Sequence, residues 1–225
     1  MNNGSSAGAG RPAVQRVFAG LLLVLLLSVV VLAAQRGVAN LVAQEARYQI
    51  DLWRSGKSLP DALKLDALQA ELDRAHRLDP SNPILLEDMG RFQASRVDRA
   101  NPDDPEVRAM RQQALASFRQ ALEQRPTSAH GYVNVALTKY RLGETDHEFS
   151  QALLQALHRG PWEPKVQLMS IELGLAAWQY LGDSSRESLK QAIQAQARWT
   201  LVRQKPALQS LLKRYRRADL AYLTE

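Results

Sequence analysis

At 225 residues, 45% hydrophobic and 23% charged, the chain is long enough for an anchor segment plus one domain of roughly 185 residues with a core of its own. It has no Cys, which excludes disulfide frameworks, thiolate metal sites and cysteine nucleophiles. The formal net charge is +6, but nine basic residues against four acidic between Asp183 and Glu225 place +5 of it in the last helical segments; the body is near neutral and no nucleic acid partner is expected.

Residues 1–16, MNNGSSAGAGRPAVQR, are Gly/Ser-rich and carry Arg11 and Arg16 with no acid. The next 18 residues, Val17–Ala34, have no charge and nothing more polar than Ser28. As a helix they reach roughly 27 Å, enough to cross a thin hydrocarbon core. The competing reading is a cleaved signal peptide, with Gly37-Val38-Ala39 as the small-residue site, but the apolar run exceeds the roughly 7–15 residues of a signal core. An uncleaved single-pass anchor over 17–34 is expected, followed by one domain over 38–225. Arg36 and Arg47 beyond the run are diluted by Glu45 and Asp51, so positive-inside reasoning leaves the tail in the cytoplasm and the domain outside.

A phrase then recurs: AELDRAHRLDPSNP at Ala70–Pro83, ASFRQALEQRP at Ala116–Pro126 and QALLQALHRGP at Gln151–Pro161. Leu72, Phe118 and Leu153 stand eight residues before Pro80, Pro126 and Pro161, and Ala75, Ala121 and Ala156 stand five before. A small Ala lets paired helices approach, the bulky residue fills the groove between them, and Pro ends the helix. The intervals between the prolines are 46 and 35 residues; the surplus falls in VDRANPDDPEV, Val97–Val107, a Pro/Asp loop. A helix near Leu41–Ser55, stopped by Gly56, is expected to pair with Leu63–Leu78. After Pro161 come Val166–Leu181, Ser184–Lys205 and a basic helix from Ala207 to Leu223, for about eight stacked helices and no sheet.

The pattern resembles the tetratricopeptide repeat, a helix–turn–helix unit of roughly 34 residues, and Ala114, Phe118, Ala121 and Pro126 match its second helix. First helices depart more: Leu86, Met89 and Gly90, then Tyr132, Val135 and Ala136, keep the small-residue slot without the Trp. More narrowly, WRSGKSL, LDPSNP, EDMGR, ALASFRQAL and IELGLAAWQYLG behind an N-terminal anchor look like the VpsP-type exopolysaccharide biosynthesis proteins of Gram-negative bacteria. That resemblance implies an accessory role in making or exporting a surface polysaccharide, with partners among inner-membrane or periplasmic proteins, and supplies no catalytic residues.

Chemistry-bearing patterns are sparse. His76, His130, His147 and His158 include no pair at three- or four-residue spacing, and His147-Glu148 lacks the second His of a zinc motif. No metal, cofactor or catalytic residue is expected. Gly8 and Gly10 precede the apolar run and cannot form a phosphate loop. Asn3-Gly4-Ser5 matches a glycosylation sequon on the expected cytoplasmic side. Lys213, Arg214, Arg216 and Arg217 form the one basic cluster, read as a soluble cap on the last repeat or a contact for anionic lipid.

The expectation is thus an all-α chain: a transmembrane helix followed by a tetratricopeptide-like solenoid. It would be held at the inner membrane, face the periplasm and act as an adaptor in envelope polysaccharide biogenesis. A membrane-tethered co-chaperone or division adaptor, and a carbohydrate-active enzyme with scattered carboxylates, are the alternatives. Repeat alignment assigns Glu87, Arg91, His130, Asn134 and Arg141 to the concave partner-binding face. Glu87 and Arg91 depart from the Lys and Asn of the carboxylate-clamp type, which argues against an acidic C-terminal peptide there.

Overall fold

The computed structural model describes residues 10–199, 205–217 and 220, and every regular element among them is helical. α1 (Gly10–Val42) is separated from α2 (Gln44–Arg54) by Ala43 alone. Ala43 keeps helical dihedrals, its N–H donates to the Ala39 carbonyl, and its own carbonyl accepts from Arg47 N–H. The two form one nearly continuous rod, so the expected first domain helix is the extension of the apolar one and no break marks residue 38. Residues 17–34 are exposed throughout. This stretch is long and apolar enough to cross a membrane, and its N-terminal position equally suits a signal sequence.

Ion pairs fix the direction of packing. Arg36 Nε lies 3.8 Å from the Asp79 carboxylate and Glu45 lies 3.4 Å from Lys64 Nζ, so α3 (Ala62–Leu78) runs antiparallel to the rod. α4 (Pro83–Arg96), α5 (Pro105–Gln124), α6 (Ala129–Arg141), α7 (His147–Arg159) and α8 (Pro164–Ala176) continue the stack. Its turns therefore alternate between two ends. The Pro turns after α3, α5 and α7 lie at the end where the apolar helix enters; the 55–61, 97–104 and 142–146 loops lie at the far end.

The repeated phrase does what its spacing requires. Leu72, Phe118 and Leu153 are buried, as are Ala75, Ala121 and Ala156, and Pro80, Pro126 and Pro161 sit in the turns that follow. The small slot at Gly90 faces the Phe118 ring so closely that a Cβ there would come 2.6 Å from Cε1. One core joins Phe118, Val135, Phe149, Ile171 and Leu189; a second joins the rod to α3 and α4 through Ala39, Ala43, Ile50, Leu72 and Phe92.

Helix ends follow side-chain chemistry. Asp61, Asp104 and Asp146 each accept a backbone N–H as the N-caps of α3, α5 and α7, and Asn82 and Ser128 do the same for α4 and α6. Gly56, the expected stop, has φ +96° and closes α2 with Lys57 N–H on the Leu52 carbonyl. Gly143 ends α6 the same way, with Glu144 N–H on the Lys139 carbonyl.

The C-terminal boundaries differ from expectation. The helix expected over Val166–Leu181 stops at Ala176 and tightens into a 3₁₀ turn, Trp178–Tyr180; Arg186 bonds the Trp178 and Gln179 carbonyls, stabilising an end the sequence pattern does not mark. α9 (Asp183–Trp199) and α10 (Lys205–Arg214) flank residues 200–204, which lie outside the described residues. The helix expected to reach Leu223 ends at Arg214. Arg216 takes φ +54° and Arg217 N–H bonds the Leu212 carbonyl, the glycine-type stop made here with an arginine at the left-handed position. Leu223 and Asn3-Gly4-Ser5 lie outside the described residues.

Candidate functional site

Alternate helices α2, α4 and α6 present one face to a cleft of about 240 Å³. Arg54, Arg91, Ser95, Asp98, Asn134 and Arg141 supply its polar lining, and Phe118, Leu137 and Met169 its apolar floor. The periodicity explains the convergence: 91, 95 and 98 on α4 and its exit, and 134, 138 and 141 on α6, recur at three and four residues and so share a helix face.

Three of the five expected groove residues, Arg91, Asn134 and Arg141, meet in this cleft. Glu87 and His130 lie one turn nearer the end where the apolar helix enters, on the same helices. There Glu87 Oε1 accepts from the Ser128 hydroxyl at 3.0 Å, and His130 Nδ1 is 2.8 Å from the Glu163 carboxylate. Neither lines the cleft, so of the two residues that depart from the carboxylate-clamp pattern, Glu87 is outside it and Arg91 within it.

The cleft's charge is basic. Among the described residues Asp98 is the one carboxylate in its lining, and it is paired with Arg141. Burial pushes the Arg141 guanidinium below its usual value; Asp98 opposes this, while Arg111 and Arg54 add to it as like charges. Arg91 Nη2 bonds the Asp88 carboxylate at 2.6 Å, and Arg47 Nε holds its other oxygen at 2.5 Å; Asp88 is 1% exposed. Arg91 is thus part lining and part structural support. Arg54 is exposed and has no carboxylate within ion-pair distance among the described residues.

A second hollow of about 400 Å³ shares Arg54, Ser95 and Asp98 with the first and adds Lys57, Arg96 and Arg99, extending the cationic surface toward the far end. Sequence reasoning overlooked Arg54, Asp98 and this extension. A signal was present: α2, α4 and α6 each end in an arginine, Arg54, Arg96 and Arg141, where the helix dipole favours a cation. Asp98 stands in the Pro/Asp loop Val97–Val107, where no helical periodicity marks it.

Behind the cleft, buried Arg111 donates from Nη1 to the Arg141 carbonyl at 2.9 Å and from Nη2 to the Val97 carbonyl at 3.4 Å, joining the C-terminal ends of α6 and α4. It sets the spacing of the two helices that line the site.

The C-terminal basic cluster is divided by the fold. Arg214 is 3.0 Å from the Glu172 carboxylate and Arg217 lies over the Trp178 ring at 3.7 Å, while Lys213 and Arg216 are exposed. Half of it thus fastens the end of α10 to α8 and the 3₁₀ turn. Among the described residues no three His, Asp or Glu side chains come together as a metal cluster.

No family model matches the chain, and neither a curated protein nor a solved structure matches it.

Proposed function

We propose that this chain is a membrane-anchored helical-repeat adaptor that receives an acidic segment of a partner protein in the Arg54/Arg91/Arg141 cleft. The single observation that carries the reading is that cleft, with three guanidiniums against one lining carboxylate on a stack continuous with an uncovered apolar helix. Guanidiniums form two-pronged bonds to carboxylates, and a basic surface steers an acidic partner toward it. Asn134 adds a neutral hydrogen-bonding side chain to the lining.

The anchor reading, as against a cleaved leader, is supported by the junction. Ala39 is buried against α3 and Arg36 pairs with Asp79, so cutting after Ala39 would remove contacts of the domain. The tetratricopeptide-like reading is supported by the buried Ala, bulky residue and Pro at fixed offsets. Assignment to surface polysaccharide synthesis or export, with the domain in the periplasm, rests on the sequence phrases and the positive-inside charge pattern.

Alkaline carbonate extraction should leave the full-length chain in the membrane pellet; a soluble product beginning near Asn40 would overturn the anchor. A deletion strain should lose surface polysaccharide while sugar-nucleotide pools and membrane glycosyltransferase activity persist. Loss of an enzymatic activity that the purified protein restores unaided would favour the enzyme alternative.

A further inference from the structure

The Pro-turn end of the stack has a chemistry of its own. Contacts join its turns in a row: Arg36 to Asp79 beside Pro80, Gln124 Nε2 to the Pro80 carbonyl at 3.5 Å, and His130 to Glu163 at 2.8 Å. The apolar run 17–34 projects from this same end. If that run spans a bilayer, the row of turns is the part of the domain brought to the lipid surface.

Three features of the row suit such a surface. The N-caps at the far end are the carboxylates Asp61, Asp104 and Asp146, whereas at the anchor end α4 and α6 are capped by the neutral Asn82 and Ser128, and Glu163 at the start of α8 makes no capping bond. Arg77, Arg125, Arg159 and Lys165 are exposed on or beside the anchor-end turns, with Arg36 at the base of the apolar run. Among the described residues the acids there are Glu123, exposed, Glu87, half-buried and bonded by the Ser128 hydroxyl, Asp79, which is buried and paired, and Glu163, paired with His130. Trp162 is 66% exposed on the turn between Pro161 and Pro164. Tryptophan settles at the headgroup level of a bilayer, and Lys and Arg are drawn to anionic headgroups within about a Debye length of ~8 Å.

We infer that the Pro-turn end of the domain is a docking face for the anionic phospholipid headgroups of the membrane that holds its own anchor, with Trp162 as the aromatic contact and Arg125, Arg159 and Lys165 as the charged ones. This rests on the anchor reading above. Lipid contact at this end would keep the rod steep on the bilayer and hold the basic cleft outward for a partner.

The absence of Cys makes a single introduced thiol unique. Full-length chain carrying Thr127→Cys, or Asn101→Cys at the far end as control, is labelled with a fluorophore. It is reconstituted in vesicles of phosphatidylcholine and phosphatidylglycerol that contain a headgroup-nitroxide lipid. The label at 127 should be quenched several-fold more than the label at 101. Trp162→Ser, the pair Arg159→Glu and Lys165→Glu, or phosphatidylcholine alone should each remove most of that difference, with helicity unchanged. Equal quenching at 127 and 101, in chain that floats with the vesicles after alkaline washing, would overturn this inference and leave the anchor standing. Chain that does not float would overturn both. A difference that persists undiminished in phosphatidylcholine alone would overturn the assignment to anionic headgroups.

Discussion

Lys139 Nζ meets Glu148 Oε2 at 2.9 Å where α6 packs on α7, with the lysine only 2% exposed. Asp146 lies at 2.9 Å and Glu144 at 3.2 Å from the same ammonium, and Arg119 grips both oxygens of Glu148 from α5. Burial alone would lower the Lys139 pKa; its hydrogen bonds to Glu148, Asp146 and Glu144 outweigh that and raise it. Three helices are tied at one charged point.

Acid should loosen this point. The Arg119 hydrogen bond is the main cause holding Glu148 at about 2 against an ordinary 4.5, with burial opposing and Lys139 assisting. A depressed carboxylate stabilises fully above its unfolded value and loses that contribution as pH falls from 4.5 toward about 2. Because the side chain is 40% exposed, solvent screening limits the Glu148→Gln cost at neutral pH to about 1 kcal/mol. Urea midpoints measured across that window should show a flatter acid limb in the variant; parallel limbs would contradict the assignment.

Arg111→Met should cost about 2–3 kcal/mol, because the Arg141 and Val97 carbonyls both lose a charged donor. Arg111→Lys cannot reach both with a two-pronged group and should recover at most part of the loss. Chemical denaturation of the three proteins in the same detergent tests this; an unperturbed Arg111→Met would show that the clamp contributes nothing.

Close packing at the small slots gives a paired test. Gly90→Ala should cost roughly 1–3 kcal/mol through collision with the Phe118 ring, and Phe118→Leu in the same chain should cost less than its effect alone would add. Ala121→Glu should lose roughly 3 kcal/mol or more by overpacking and burying an unpaired charge, while Ala121→Ser is tolerated better. Simple additivity at 90 and 118, or equal melting of the two Ala121 variants, would show that these are not helix crossings.

Charge reversal in the cleft should separate binding from folding at one position and confound them at another. Arg54→Glu, on an exposed side chain with no carboxylate partner among the described residues, should change stability by less than about 0.5 kcal/mol while weakening capture of an acidic partner segment. Arg91→Glu sets a carboxylate beside buried Asp88 and should cost about 2 kcal/mol or more, so any lost binding there is mixed with lost fold. Melting curves read together with crosslinking from Leu137 distinguish the two; undiminished crosslinking in Arg54→Glu would count against the cleft.

What the sequence determined is local. An uncharged run of 18 residues, a Pro at fixed distance from an Ala and a bulky residue, and Gly56 at φ +96° act on the chain close to where they stand, and each lies in a helix or turn it was expected to mark. Offsets that rely on one helix face also account for Arg91, Asn134 and Arg141 lining the same cleft. Distances between non-adjacent helices needed the folded chain. Only packing could show that Glu87 and His130 are taken by Ser128 and Glu163, that Arg54 and Asp98 enter the cleft, and that Lys139 is buried among Glu144, Asp146 and Glu148. The same holds for α10, which ends at Arg214 because an arginine adopts the left-handed position where a sequence pattern looks for glycine. A side chain's charge is written in the chain, but its partner is set by which helices the core brings within a few ångströms, and that depends on every packed contact at once.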